Sequence, residues 1–193
     1  MVLRRGTLAD VPVLLRVFDI AMEWLAAQGR TGQWGTEKAS SRPDRIKTMT
    51  EFAESGGLWV AVDTDWKEEP TTQESDGGVV SPVVSTRDVV GAVCVGEAWA
   101  HVKPATEPEL YIRFLIANHE SKRRGVGGLL MAKVRELARD AGVEVLRVDC
   151  YNGDDQKLVG WYESQEFQRE EPFVVKGWPG MLLTQRLVSK TTE

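Results

Sequence analysis

Cysteine and histidine are scarce in this chain, with two of each among 193 residues. Cys94 (in VCV) and Cys150 (in DCY) lie inside apolar, strand-like runs, which marks them as buried, reduced thiols rather than a disulfide pair or a nucleophile. His101 and His119 stand apart without ligand spacing, so zinc chemistry has almost nothing to build on and no metal is expected. Long apolar runs are missing too. No stretch approaches the roughly 18 residues of a membrane span. The start, MVLRRGTLADVPVLL, lacks the apolar segment and small-residue cleavage site of a secretory signal. A cytoplasmic protein without membrane contact is expected.

Positive charge is not in surplus either. Twenty-four Lys and Arg stand against 29 Asp and Glu, a formal net charge of −5. The stretch Asp63 to Gly78, DTDWKEEPTTQESDGG, carries all of that excess. The remainder sums to zero and offers no broad basic face to a nucleic acid. With Pro70, Gly77, Gly78 and no apolar period, the segment from about 63 to 86 reads as a mobile acidic loop joining two strands of one sheet.

What is present describes one soluble globular domain, with 42% hydrophobic and 27% charged residues. Seven tryptophans suggest a site or surface that uses large amphipathic rings. Met1 to Arg5 reads as a strand. Thr7 and Asp10 can cap a helix that carries Val11, Leu14, Leu15, Phe18, Ala21, Met22 and Leu25 at helical spacing, with Gly29 beyond its end. A second helix is expected over 42–54, with Ile46, Met49 and Phe52 inward. Strands follow at 58–62, 89–95 and 110–117, then a helix over 125–141, a strand over 143–151 and a helix over 156–164. Closing strands are expected at 173–175 and 181–187. The product is a mixed α/β sheet with helices on both faces.

The join at 115–131, LIANHESKRRGVGGLLM, is the most informative segment. A buried strand ends in a short polar loop, and glycines then open a helix. The helix start exposes unpaired amides and the positive end of the peptide dipole. Gly125, Gly127 and Gly128 remove side chains that would hold a phosphate away, and Lys122, Arg123 and Arg124 add charge. A glycine-rich turn with a solvated basic cluster explains the same residues. A P-loop fails for want of a lysine after the glycines, and the dinucleotide fingerprint fails because Leu130 stands at its third glycine.

The segment Lys122-Arg123-Arg124-Gly125-Val126-Gly127 resembles the Gln/Arg-x-x-Gly-x-Gly/Ala motif of the GNAT superfamily of acetyl-CoA-dependent N-acetyltransferases, with lysine at the first position. Downstream, the run from Asp155 through Tyr162-Glu163 to Phe167 is similar to the family's Asn…Tyr-Glu-x-x-Gly-Phe segment. Asp155 stands for the Asn and Glu166 for the Gly. The order of strands and helices resembles the family from residue 2 to about 187.

The resemblance implies a GNAT-like, mostly antiparallel sheet in which the central strand parts from its neighbour near a bulge. It implies acetyl-CoA as cosubstrate, its arm along Leu115, Ile116 and Ala117, its pyrophosphate on residues 123–128, with Lys122 and Asp155 as further contacts. Tyr162 would give a proton to the leaving thiolate; otherwise it is a core tyrosine bonded to a backbone carbonyl. Glu109, at the start of the central strand, is the first candidate base, with Asp149 behind it. His119 reads as a surface residue and His101 as lacking a partner. Trp34, Trp99 and Tyr111 are expected to line a pocket for the amine of a small molecule or peptide, Trp faces suiting a cation. Trp24 fits core packing. The competing readings are a CoA-binding module without turnover and an adaptor acting through the acidic loop.

Overall fold

A computed structural model describes residues 1–64, 89–121, 124–153 and 155–187; most of the expected acidic loop, together with Lys122 and Arg123, lies outside them. The chain forms β1 (Val2–Arg5), α1 (Val11–Ala26), α2 (Pro43–Glu54), β2 (Leu58–Val62), β3 (Val89–Gly96), β4 (Glu109–Ala117), α3 (Val126–Asp140), β5 (Val145–Tyr151), α4 (Lys157–Ser164), β6 (Gln168–Val175) and β7 (Trp178–Arg186). The strands make one sheet in the order β1-β2-β3-β4-β5-β7-β6. Every neighbouring pair is antiparallel except β4 with β5. This is the mixed, mostly antiparallel α/β sheet that the sequence pattern predicts. No helix among the described residues is long and apolar enough to cross a membrane.

Alternation along the strands divides the core in two. Ile112, Leu146, Val148 and Cys150 face α3 and α4, packing with Leu130, Val134, Val159, Tyr162 and Phe167. Phe114 and Ile116 face the other way, toward Leu14, Phe18, Met49 and Phe52 of α1 and α2. A small third cluster, Val102, Tyr111 and Leu182, sits on that second face beyond the helices, with Trp99 and Phe173 against it. Both cysteines are free and buried, and burial pushes the Cys94 thiol up to about 11 and the Cys150 thiol to about 12.

Three expectations shift. Ile46 points outward, 38% exposed, because α2 packs through Arg45, Met49 and Phe52 instead. The Arg45 guanidinium lies 5.5 Å from the Phe18 ring centroid. Trp24 is not in the core; it is 41% exposed and stacks on His119, centroids 3.9 Å apart. β6 begins five residues earlier than expected, at Gln168. Its first turn of sequence, QREE, is an exposed edge and carries no apolar alternation to reveal a strand.

The end of α4 bears on everything that follows. The Glu166 amide donates to the Glu163 carbonyl (2.9 Å) and the Phe167 amide to the Tyr162 carbonyl (3.1 Å). The Phe167 ring meets the Tyr162 ring edge-on at 5.6 Å. This is a Schellman closure with its hydrophobic contact, and it fixes where Tyr162 sits. The closure needs a left-handed residue, and Glu166 supplies it at φ +70°. A side chain there strains the backbone. Glu166→Gly is therefore expected to raise the unfolding free energy by about 1 kcal/mol, and Glu166→Val to lower it by a similar amount. Denaturant midpoints at constant slope would measure both; a Glu166→Gly midpoint below the wild type would sink the argument.

Candidate active site

β4 and β5 are paired only from Glu109–Val145 to Ile112–Val148. Beyond that point β4 stays with β3 as far as Ala117, while β5 stays with β7 as far as Tyr151. The parting coincides with a bulge. Cys94 lies opposite Phe114 and Val95 opposite Ile112, so Arg113 is the extra residue on β4. Arg113 and Phe114 consequently both face the α1–α2 side, and Leu115 returns to the α3 side. The result is a wedge-shaped cleft, closed at Ile112–Val148 and bordered by the edge of β4 at Leu115, Ile116 and Ala117. Backbone groups along that edge, facing β5, have no ladder partner from it.

At the open end the chain turns through Asn118. This buried side chain donates to the Val89 carbonyl (2.9 Å), and its oxygen accepts from the Glu120 amide (3.0 Å). It pins the loop that leads into α3, a role the sequence reading missed although an Asn just after a strand favours such a turn. α3 starts on Gly125, left-handed at φ +77°. Buried Val126 anchors the helix, while Arg124, Gly125 and Gly128 are exposed. The three glycines differ in role. A Cβ on Gly127 would lie 2.6 Å from the Trp161 ring, whereas one on Gly128 would meet nothing within 4 Å among the described residues. The first-turn amides and the dipole, with the space above Gly128 left open among the described residues, fit a phosphate-bearing ligand.

α4 approaches the same region. Asp155 accepts from the Lys157 amide (3.1 Å) and pairs with Arg30 (2.7 Å). The Lys157 amide, with Arg30 behind it, holds the Asp155 carboxyl below the usual carboxylate range. Tyr162 is buried on the α3–α4 side of the sheet, edge-on to Trp161 at 4.9 Å. Among the described residues no carbonyl accepts a hydrogen bond from its hydroxyl. Burial, then the neighbouring Cys150 and Asp149, raise its phenol well above the ordinary range, so it keeps its proton.

Glu109 sits at the closed end. Its carboxylate pairs with the buried Arg147 guanidinium at 3.1 Å. Arg147 also reaches Glu170 (3.1 Å) and the Lys103 carbonyl (2.9 Å). Glu109 lies three positions before the last shared rung at Ile112, and its carboxylate is engaged by that ion pair. Tyr111 is fully buried and donates to Asp149 at 2.5 Å. Trp99 and Trp34 do border this side, and each already has a neighbour from the chain itself. The Arg113 guanidinium lies 4.0 Å from the Trp99 ring centroid, and Trp34 packs edge-on to Phe18 at 4.6 Å. The chain's own cation occupies the Trp99 face expected to receive an acceptor's. His101, expected to lack a partner, lies 3.5 Å from Asp149. The loop after α1 closes the far side: the Trp178 indole donates to the Gln33 carbonyl at 2.9 Å.

A family model for the acetyltransferase (GNAT) family matches residues 33–167, more than half of the chain. The chain belongs to the GNAT acetyltransferase family. Solved GNAT structures agree in fold across nearly their whole length. A ribosomal-protein-alanine N-acetyltransferase from Brucella melitensis is 18% identical at a TM-score of 0.62, covering 97% of this chain and 100% of its own. A GNAT-family acetyltransferase from Listeria monocytogenes 4b F2365 is 14% identical at 0.65, covering 96% and 94%. A chain of the NatC complex, solved bound to Gag peptide and CoA, is 11% identical at 0.60, covering 97% and 98%. Among curated proteins none matches this sequence.

Two substitutions separate packing from ligand contact at this GNAT site. Gly128→Leu fills open space and removes a helix glycine, so it should keep or raise stability, by up to about 1 kcal/mol, while CoA affinity falls at least tenfold. Gly127→Val should lose stability as well, through the clash with Trp161. Glu109→Gln should lower stability by roughly 1–3 kcal/mol, because it weakens a buried charge pair. Calorimetric titration and chemical denaturation read both quantities; unchanged CoA affinity in Gly128→Leu would remove the phosphate seat.

Proposed function

We propose that this protein transfers an acetyl group from acetyl-CoA to a primary amine of a small molecule or peptide by direct attack. The observation that carries this reading is the cleft between β4 and β5, with the α3 amides at its open end and a protonated, unengaged Tyr162 hydroxyl beside it. Acetyl-CoA supplies an activated thioester. The chain's residues do the rest. The edge of β4 over Leu115, Ile116 and Ala117 offers backbone donors and acceptors to an extended arm. Arg124, Gly125, Val126, Gly127 and Gly128, with Lys122 and Arg123 preceding them in sequence, receive the pyrophosphate through helix amides and positive charge. Asp155, already bound to Arg30, holds the start of α4 rather than reaching freely for the ligand.

Tyr162 serves as the proton donor. A phenol kept neutral by burial can hand its proton to the departing sulfur, a service that counts in the transition state and adds little to ground-state binding. The acceptor enters from the opposite face of the sheet, where Trp99, Tyr111 and the loop bearing Trp34 stand.

Acetyl-CoA and free CoA are both expected to raise the melting temperature, a ligand at a hundred times its Kd adding about 2.7 kcal/mol. Tyr162→Phe keeps the ring between Trp161 and Phe167 and deletes only the hydroxyl. Turnover on the best amine from a panel should drop tenfold to a thousandfold, roughly the worth of one acid, with acetyl-CoA affinity retained. Wild-type turnover in that variant would make Tyr162 a packing residue, and no thermal shift at millimolar CoA would end the assignment.

A further inference from the structure

The cleft needs a proton acceptor as well as a donor, and the pairing of Glu109 with Arg147 leaves that post open. Asp149 is the first β5 residue past the last rung shared with β4. Its neighbours Val148 and Cys150 face α3 and α4, so its carboxylate emerges on the other face, away from Tyr162. One oxygen accepts from the Tyr111 hydroxyl at 2.5 Å, and the other lies 3.5 Å from Nε2 of His101. The Asp149 charge is also close enough to help raise the Tyr162 phenol from across the sheet.

His101 is not buried with its partner. Its side chain is 33% exposed, and it lines a pocket of about 270 Å³ with Val102, Lys103, Glu171, Phe173 and Leu182. The pocket floor follows from the strand register. Asp149 lies opposite Leu182, and Leu182 opposite Glu171, one row crossing β5, β7 and β6 on the same face. The His101 ring is held on its other side by Phe173, centroids 5.4 Å apart. α1 and α2 pack over the β3–β4 part of this face and leave the row to the loop of residues 97–108.

We propose that His101 is the general base of the reaction, that Asp149 and Tyr111 are its positioning residues, and that the pocket beside it receives the acceptor amine. The proposal rests on the acetyl-transfer reading above. In the substrate complex Nε2–H of the neutral imidazole would donate to Asp149, now 3.5 Å away, which leaves the Nδ1 lone pair for the acceptor; such contacts are commonly long before substrate tightens them. Nδ1 takes a proton from the ammonium, and the freed amine forms the C–N bond as the C–S bond breaks. Tyr162 protonates the sulfur from the far side of the sheet and regains a proton from the nitrogen product through solvent. One proton is released overall, from His101, and Asp149 stabilises the imidazolium until it leaves. The pocket lies near the low end of ligand-site volumes, which suits a small amine or the end of a chain rather than a folded surface.

The groups facing His101 are Asp149 from β5, Tyr111 behind it on β4, Glu171 and Phe173 from β6, and Lys103 from its own loop. The test uses the full chain, acetyl-CoA and a panel of small primary amines and short peptides, with thiol release followed against pH. His101→Gln should lower turnover by roughly a hundredfold to ten-thousandfold at neutral pH, with the acetyl-CoA thermal shift retained. Its residual rate should climb with pH as the free amine fraction grows. Asp149→Asn, which can still accept from Tyr111, should cost about tenfold in turnover without that loss of binding. A His101→Gln enzyme with the wild-type rate and pH profile overturns this assignment and leaves acetyl transfer standing. A wild-type chain that binds acetyl-CoA yet acetylates nothing in the panel overturns the functional reading and this proposal together.

Discussion

Everything in the site descends from the failure of β4 and β5 to stay paired beyond Ile112 and Val148. A parallel pair inside an otherwise antiparallel sheet has no hairpin to enforce its length, and the extra residue Arg113 turns β4 away just where the pairing stops. Unpaired backbone inside a sheet is costly unless something satisfies it. The fold tolerates the gap because both borders remain tied on their outer sides, β4 to β3 and β5 to β7. A ligand arm that pairs with the exposed edge would recover hydrogen bonds the protein alone forgoes.

The closed end is secured differently. Arg147, nearly inaccessible, gathers Glu109 from β4, Glu170 from β6 and the Lys103 carbonyl from the 97–108 loop. A buried guanidinium is acceptable only with such a full set of acceptors. The same hub that closes the wedge also holds the base of the loop carrying His101. Local strain at Glu166 belongs to the same economy of position. It is accepted because the closure it completes sets Tyr162 against Phe167.

Much of this was legible in the sequence. Apolar periodicity fixed the helices and the inner strands to within a few residues, since burial on one face repeats faithfully at 3.6 or 2 residues. The glycines opening α3 and the Tyr162–Phe167 spacing pointed to the family, which the family model matches, because those features are local. The side-chain partners on the second face of the sheet were not legible. Glu109, His101 and Trp99 were read from their places along the chain, yet their partners are Arg147, Asp149 and Arg113, distant in sequence and brought together by strand register and the packing of the 97–108 loop. Ile46 and Trp24 misled for a related reason: an amphipathic helix shows its period more clearly than the one-residue rotation that selects its inward face.

The two helices on the second face pack over the β3–β4 part of the sheet and leave its far part to connecting segments. The residues we propose for the cosubstrate's phosphates and arm belong to a helix start and a core strand, where most changes disturb packing. Those proposed to face the acceptor belong largely to the 27–38 and 97–108 connections and an edge strand, where a change disturbs little. On the proposed function, such a division would let one half hold its chemistry constant while the other is re-cut for new amines, like a fixed handle with exchangeable blades.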